Sequence, residues 1–302
     1  MERSSERSPD FPRPSKLLEA VLDLERIEHN LYRASNHLRE MSPKQLYGGQ
    51  IVCQSMVAAS RTAKPHLHIH SLHCYFIRKG NPKIPVVYQV ENLRDGRSYS
   101  TRSVHAIQEG QAILMLLVSF HSKEESPYSH QIPMPDVPMP ENVLSLRENI
   151  DKYFGDASAE LKNQVEWKLG GSGLLLEYRH IQIEKFFEIN QPSEPKRVMW
   201  VRVVGDLGDD ENTHRSAAAF ISDAYMAWTA YLPHKATQLG QISSLDHSIW
   251  FHAPFRADEW MLYEMESTQA GAGRAMIFGR FWRRDGTLAG SISQESMMRP
   301  KL

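Results

Sequence analysis

The sequence predicts an α+β protein built from two similar units, and three observations carry that expectation. A helical stretch followed by a run of extended segments occurs twice; tight-turn dipeptides fall at matching places in both copies; and a Pro-rich stretch separates them. At 302 residues the chain has room for two units, each with a substantial core.

The elements follow in order. Residues 1–15 carry prolines at 9, 12 and 14 and are expected to be a disordered tail. The first unit, 16–121, starts with a short amphipathic helix at Leu17 to Leu24 and a strand at Ile27 to Ala34. Gly48-Gly49 then opens a helix through Gln50 to Ser60. Four strands come next, at His73 to Arg78, Val86 to Leu93, Ser98 to Gln108 and Ala112 to Phe120, with Asp95-Gly96 and Glu109-Gly110 as antiparallel turns. Residues 122–165 read as a linker, extended rather than packed, with prolines at 127, 133, 135, 138 and 140 and a helical piece near Leu144 to Tyr153. The second unit, 166–299, has strands near Leu175 to Ile183 and Val198 to Val204. One long helix is expected from Ser216 to Pro233, with Ser216 as its cap and Asp223 inside it. Strands near Ser244 to His252, Trp260 to Thr268, Ala275 to Arg283 and Thr287 to Met298 close the unit, with Asp285-Gly286 turning the last pair.

Ser71-Leu72 corresponds to Ser244-Leu245, Gly96 to about Gly271, and Gly110 to Gly286. A strongly bent sheet wrapped around a helix is the hotdog arrangement, and two copies on one chain make a double hotdog whose sheets pair edge to edge. The repeat alone supports only a duplicated α+β unit.

Composition narrows the function. Lys and Arg total 35 against 36 Asp and Glu, so no global field favours nucleic acid or an anionic membrane, and an anionic ligand must be held by local groups. The N-terminal M-E-R-S-S-E-R-S-P has mixed charge and no apolar core, so it reads as neither signal peptide nor anchor, and no apolar run approaches the roughly 20 residues of a membrane span. Cys53 and Cys74 sit among apolar residues and suit a reducing compartment.

Asp223 is the chemical anomaly, a carboxylate on an apolar helix that must find partners or a use. Shifted back by the repeat it lands on Gly49, and Gln294 lands near Val118 to Phe120, so a single site on the second unit is expected. Gln294 shares a strand face with Leu288, Ile292 and Met298, and Ser244 begins the strand after the helix. Asp223, Ser244 and Gln294 together can activate a water: the carboxylate takes a proton while hydroxyl and amide orient the oxygen toward a carbonyl carbon. Backbone amides in Gly48-Gly49-Gln50 can stabilise an oxyanion.

Other conspicuous residues read more plainly. His66, His68, His70 and His73 lack the mixed ligands and supporting partners of a metal site, and no metal is expected. Asp246, His247 and Ser248 are sequence neighbours that alternate faces, and no G-x-S-x-G elbow accompanies them.

The blocks Y-G-G-Q-I-V-C-Q-S-M (47–56), H-S-L-H-C-Y-F-I-R-K-G (70–80), L-R-D-G-R-S-Y-S-T-R (93–102), S-L-D-H-S-I-W-F-H (244–252) and S-Q-E-S-M-M-R (293–299) resemble those of the type II acyl-CoA thioesterases. That resemblance implies a double hotdog that hydrolyses acyl-CoA to fatty acid and coenzyme A without a cofactor. Asp223 and Gln294 match its catalytic acid and amide, and Ser244 stands where bacterial members commonly carry Thr. It further implies basic residues for the coenzyme phosphates, for which Arg78-Lys79 and Arg283-Arg284 are candidates beside Gly48, Gly49 and Gln50. A rival hotdog hydratase resembles a pattern with His five residues after the Asp, where this chain has Trp228. A catalytically silent acyl-CoA-binding or protein-interaction module is the alternative from another class. Hotdog sheets commonly pair, so a homo-oligomer is expected. The C-terminal Pro300-Lys301-Leu302 resembles the peroxisomal tripeptide, which would engage an import receptor and place the protein in the peroxisome matrix, with the cytoplasm as alternative.

Overall fold

The computed structural model describes residues 13–35, 45–168, 175–187, 191–234 and 239–301. In the first half, β1 (Glu25–Glu28) and β2 (Leu31–Ala34) form a hairpin that turns at Asn30, and α1 (Gly48–Ser60) precedes β3 (Leu67–Phe76), β4 (Val86–Asp95), β5 (Tyr99–Gln108) and β6 (Gln111–Ser122). Between the halves lie α2 (Leu146–Phe154) and α3 (Ala159–Lys168). The second half holds β7 (Leu176–His180), α4 (Glu184–Phe187), β8 (Lys196–Val203), α5 (Glu211–Ser222) and α6 (Met226–Thr229). Its remaining strands are β9 (Leu239–Ser244), β10 (Asp246–Phe251), β11 (Met261–Gly271), β12 (Arg274–Arg283) and β13 (Leu288–Pro300).

One antiparallel sheet runs β1-β2-β4-β5-β6-β3-β10-β13-β12-β11-β8-β7, with β9 added on β13. The order is a palindrome about the β3–β10 pair, where Leu72 faces Ile249. Each half is thus the same unit, and the two sheets are joined at one edge, as the double-hotdog expectation requires.

The concave face buries α1 and α5. Ile51, Val52, Met56, Phe220 and Ile221 are buried against Leu72, Leu116, Val118, Ile249, Ile277 and Ile292 of the strands. Each large side chain removed from water there contributes about 1.5–3 kcal/mol. The two helices also pack on each other, and glycine and alanine make that approach close: a Cβ on Gly49 would stand 2.5 Å from Phe220 O, and Ala217, Ala218 and Ala219 are fully buried.

Several boundaries differ from the sequence expectation for identifiable reasons. The stretch Ser216 to Pro233 is not one helix. Asp210 caps α5 by accepting from Thr213 N, Ser216 is buried within it, and the helix ends at Asp223. Tyr225 then takes a left-handed backbone (φ 66°) before α6. The turn between β11 and β12 falls at Ala272-Gly273, where positive φ at both residues suits a two-residue hairpin, rather than at Gly271.

The Pro-rich stretch is extended but packed. Trp200 Nε1 donates to Pro138 O, and Met134, Val137 and Val143 cover Trp200, Leu262 and Trp282 on the outer side of the sheet. Of the tail, residues 1–12 lie outside the described residues, while Pro14 bridges Asp206 and Ser15 is buried.

Candidate active site

The N-terminus of α1 meets the C-terminus of α5, and Asp223 sits at the junction. Its Oδ2 accepts from Gly49 N at 2.9 Å, and its Oδ1 accepts from Ser244 Oγ at 3.3 Å. A carboxylate at the end of its own helix is disfavoured by that helix's dipole; here the N-terminal N–H of α1, which has no side-chain cap of its own, compensates across the helix pair. Gly48 makes room: a Cβ there would lie 2.7 Å from Asp223 Oδ2. Helix packing and carboxylate placement therefore share one cause, the paired glycines.

Tyrosines brace the junction. Tyr47 packs edge-on against Phe220 and donates to Phe220 O at 2.9 Å. Tyr263 donates to Ser222 O. Burial and the neighbouring Asp223 push both phenols well above their ordinary range, so they remain donors. The left-handed backbone at Tyr225 costs about 1–3 kcal/mol. Its ring is held by Tyr178 (5.5 Å), His180 (5.6 Å) and the Arg197 guanidinium (5.6 Å), and that packing fixes the chain just after Asp223.

A cleft of about 560 Å³ opens at this point, lined by Gly48, Phe76, Arg78, Lys79, Tyr178, Asp223, Tyr225, Trp228 and Ser244 among others. Apolar walls, two cations and a hydrogen-bonded carboxylate suit a ligand with an apolar chain and an anionic head.

The predicted residues divide clearly. Asp223 and Ser244 are in contact, and Gly48 and Gly49 stand beside them. Gln50 is buried and does not line the cleft. Arg78 and Lys79 do line it, with Arg78 also donating to Ala112 O. Arg283 and Arg284 line a different pocket, where Arg284 makes a two-pronged pair with Glu141 and Arg283 pairs with Asp285. Gln294 is fully buried and bonds His247 Nδ1 and Ser296 Oγ. The histidines read earlier as bland sit on separate partners: His70 on Ser119, His73 on Ser248 and His68 near Glu211.

Sequence reasoning set His247 aside together with Asp246 and Ser248, and missed Tyr225. His247 was legible only by strand alternation: Ile249, two residues on, faces the core, so His247 must as well. No sequence signal marks Tyr225, whose conformation depends on three residues from β7 and β8.

Fold and cleft together define a protein of the hotdog thioesterase class. The chain belongs to the acyl-CoA thioesterase family: residues 39–121 match the model of the acyl-CoA thioesterase N-terminal domain and residues 156–298 that of the C-terminal domain. It is 43% identical over 290 residues to acyl-coenzyme A thioesterase 8 of Mus musculus, covering 95% of this chain and 90% of the relative. Its structure is similar to the acyl-CoA thioesterase II TesB2 of Mycobacterium marinum, with TM-score 0.75, 34% identity, and coverage of 94% of this chain and 98% of that one. It shares its fold with a conserved protein of unknown function with a hot dog fold from Alicyclobacillus acidocaldarius, with TM-score 0.73 at 18% identity and coverage of 95% and 100%.

Proposed function

We propose that this chain hydrolyses acyl-CoA thioesters by direct attack of a water held between Asp223 and Ser244. Asp223 Oδ atoms keep lone pairs beyond the two bonds they accept, so the carboxylate can take the water's proton as the oxygen adds to the thioester carbonyl. Collapse of the tetrahedral intermediate breaks the C–S bond and leaves the free acid. The proton on Asp223 passes to the departing thiolate as coenzyme A. Cys53 and Cys74, both buried and with their thiols pushed up by that burial, offer no thiolate for a covalent acyl-enzyme.

Arg78 and Lys79 hold the coenzyme phosphates at the cleft, and Gly48 leaves room for the Asp223 carboxylate; the Gly49 and Gln50 N–H groups, expected to stabilise an oxyanion, are instead spent on Asp223 Oδ2 and Tyr47 O. Gln294 supports from within the core: its partner Ser296 stands opposite Ser244 in the β9–β13 ladder. The observation that carries this reading is the doubly hydrogen-bonded Asp223 carboxylate in a cleft with two cations. Its test is free-thiol release from a series of acyl-CoA thioesters, short to very long. No release on any chain length by the folded protein would reject the reading in favour of a silent acyl-CoA-binding module.

Two further expectations belong to this reading. Tyr75, Met115, Leu117, Trp250 and Phe278 are exposed on the convex face of the sheet, and two copies can cover that face. Light scattering at micromolar concentration should give a multiple of 34.7 kDa, and a lone 34.7 kDa species would rule out the homo-oligomer. Pro300 is the last residue of β13, paired with Leu239 of β9, and Lys301 after it is exposed; Leu302 lies outside the described residues. A fluorescent fusion ending in this tail should collect in peroxisomes; a diffuse signal would place the protein in the cytoplasm.

A further inference from the structure

Beneath the Asp223–Ser244 pair runs a buried row of polar side chains that the hydrolytic step itself does not touch. Ser222 Oγ lies 2.8 Å from His247 Nε2, His247 Nδ1 lies 2.7 Å from Gln294 Oε1, and Gln294 Nε2 donates to Ser296 Oγ at 3.0 Å. All four side chains are 0% exposed, so water cannot stand in for any of them. The row links α5, β10 and β13. Its two ends abut the pair: Ser222 directly precedes Asp223, and Ser296 is opposite Ser244.

Hydrogen counting ties the members of the row to one another. With the amide N–H spent on Ser296, Gln294 presents its Oε1 to the ring and can only accept there. The proton between them is therefore on His247 Nδ1. Ser222 Oγ has one proton and two neighbours, His247 Nε2 and Ala219 O, the latter at 2.9 Å and able only to accept; with ring and amide both turned round, the hydroxyl serves Ala219 O while Nε2–H donates to Ser222 Oγ. Turning either the ring or the amide around would set two acceptors or two donors face to face in a dry core, at a cost of about 1–3 kcal/mol.

We propose that His247 is a positioning residue for hydrolysis: as a neutral ring it locks the Gln294 amide and, through the row it closes, holds Asp223 and Ser244 at their working separation. The inference rests on the reading of Asp223 and Ser244 as the water-holding pair. Burial keeps the ring below its usual range even though Asp223 on α5, Asp246 on β10 and the Gln294 bond all favour its charged form. The other titratable groups around it, Cys74 across the β3–β10 ladder and Tyr263 bonded to Ser222 O, have their ionised forms disfavoured by burial, so they add no charge near neutral pH.

The test combines a protonation measurement with a kinetic one on the full chain. In the ¹⁵N-histidine spectrum, the signal missing from His247→Asn should show one ring nitrogen protonated and the other bare at pH 7.5, and should keep that neutral pattern at pH 6, where an exposed histidine is already mostly charged. His247→Asn, with its fold confirmed by circular dichroism, should lower kcat for acyl-CoA about 10²-fold, the scale of a small misplacement of reacting groups. KM should stay within about twofold, because His247 does not line the cleft. Should the Asn variant fail to fold, Ser222→Ala breaks the same row from its other end and is read in the same way. An imidazolium at pH 7.5 or a variant with wild-type kcat would overturn the inference. Absence of turnover by the wild type would instead sink the hydrolytic reading on which it stands.

Discussion

Asp223→Asn should lower kcat for acyl-CoA hydrolysis by about 10³-fold while the protein stays folded, the loss expected when a positioned general base is removed. The amide keeps the shape of the carboxylate, and its oxygen can still accept from Gly49 N, so the junction between α1 and α5 survives. Asp223→Ala should be equally inactive but also less stable. It strands the Gly49 N–H at a helix N-terminus, at a cost of about 1–3 kcal/mol for an unmet buried donor, and removes the negative charge opposite the α1 dipole. Comparing the two separates chemistry from scaffolding: turnover reports the base, and the difference in melting temperature reports the helix junction. An Asn variant that keeps more than about a tenth of wild-type kcat would show that the carboxylate is not the base.

The fold was legible wherever local chemistry decides it. Dipeptides such as Glu109-Gly110 and Asp285-Gly286 set hairpins through positive φ, and both stand at the turns the sequence assigns them. Alternation placed the meanders of both halves, and the palindromic sheet follows from the repeat. What failed was decided by distant residues. Asp223 was expected inside a helix because Phe220, Ala224, Ala227 and Trp228 keep helical spacing. The helix nevertheless stops at Asp223, because Tyr225 is drawn into a pocket built by Tyr178, His180 and Arg197. The linker was expected to be free because its prolines and polar residues hide Met134, Val137 and Val143, which find an apolar surface made by three separate strands. The candidate site shows the same division. Residue types named Asp223 and Ser244, and the repeat pointed to Gly49 as the position matching Asp223; that those two residues would touch, one capping the other's helix, depends on how α1 and α5 pack.

Acid should destabilise this protein through His180 well before its carboxylates alone would. His180 is 3% exposed on β7, and burial, with the Arg197 charge acting in the same direction, lowers its pKa from 6.5 to about 3. In the unfolded chain the ring binds a proton below about pH 6.5; in the fold it stays neutral down to about pH 3. The unfolded state therefore holds more protons throughout that window, so stability is unaffected above about pH 6.5 and falls as pH drops through it. The loss levels off near pH 3 at about 5 kcal/mol, on the order of 1.4 kcal/mol for each pH unit crossed. Urea midpoints at pH 7.5 and 4.5 measure it: the wild type should lose about 3 kcal/mol more than His180→Gln over that interval, since carboxylate contributions are common to both proteins. Equal losses would mean that the imidazole is not held neutral. The consequence reaches the cleft, because the rings of Tyr178 and Tyr225 that line it pack directly on His180. A proton forced onto His180 beside Arg197 sets two like charges next to the segment that fixes Asp223, so turnover should fall over the same pH range in which the wild type loses stability, and less steeply in the Gln variant.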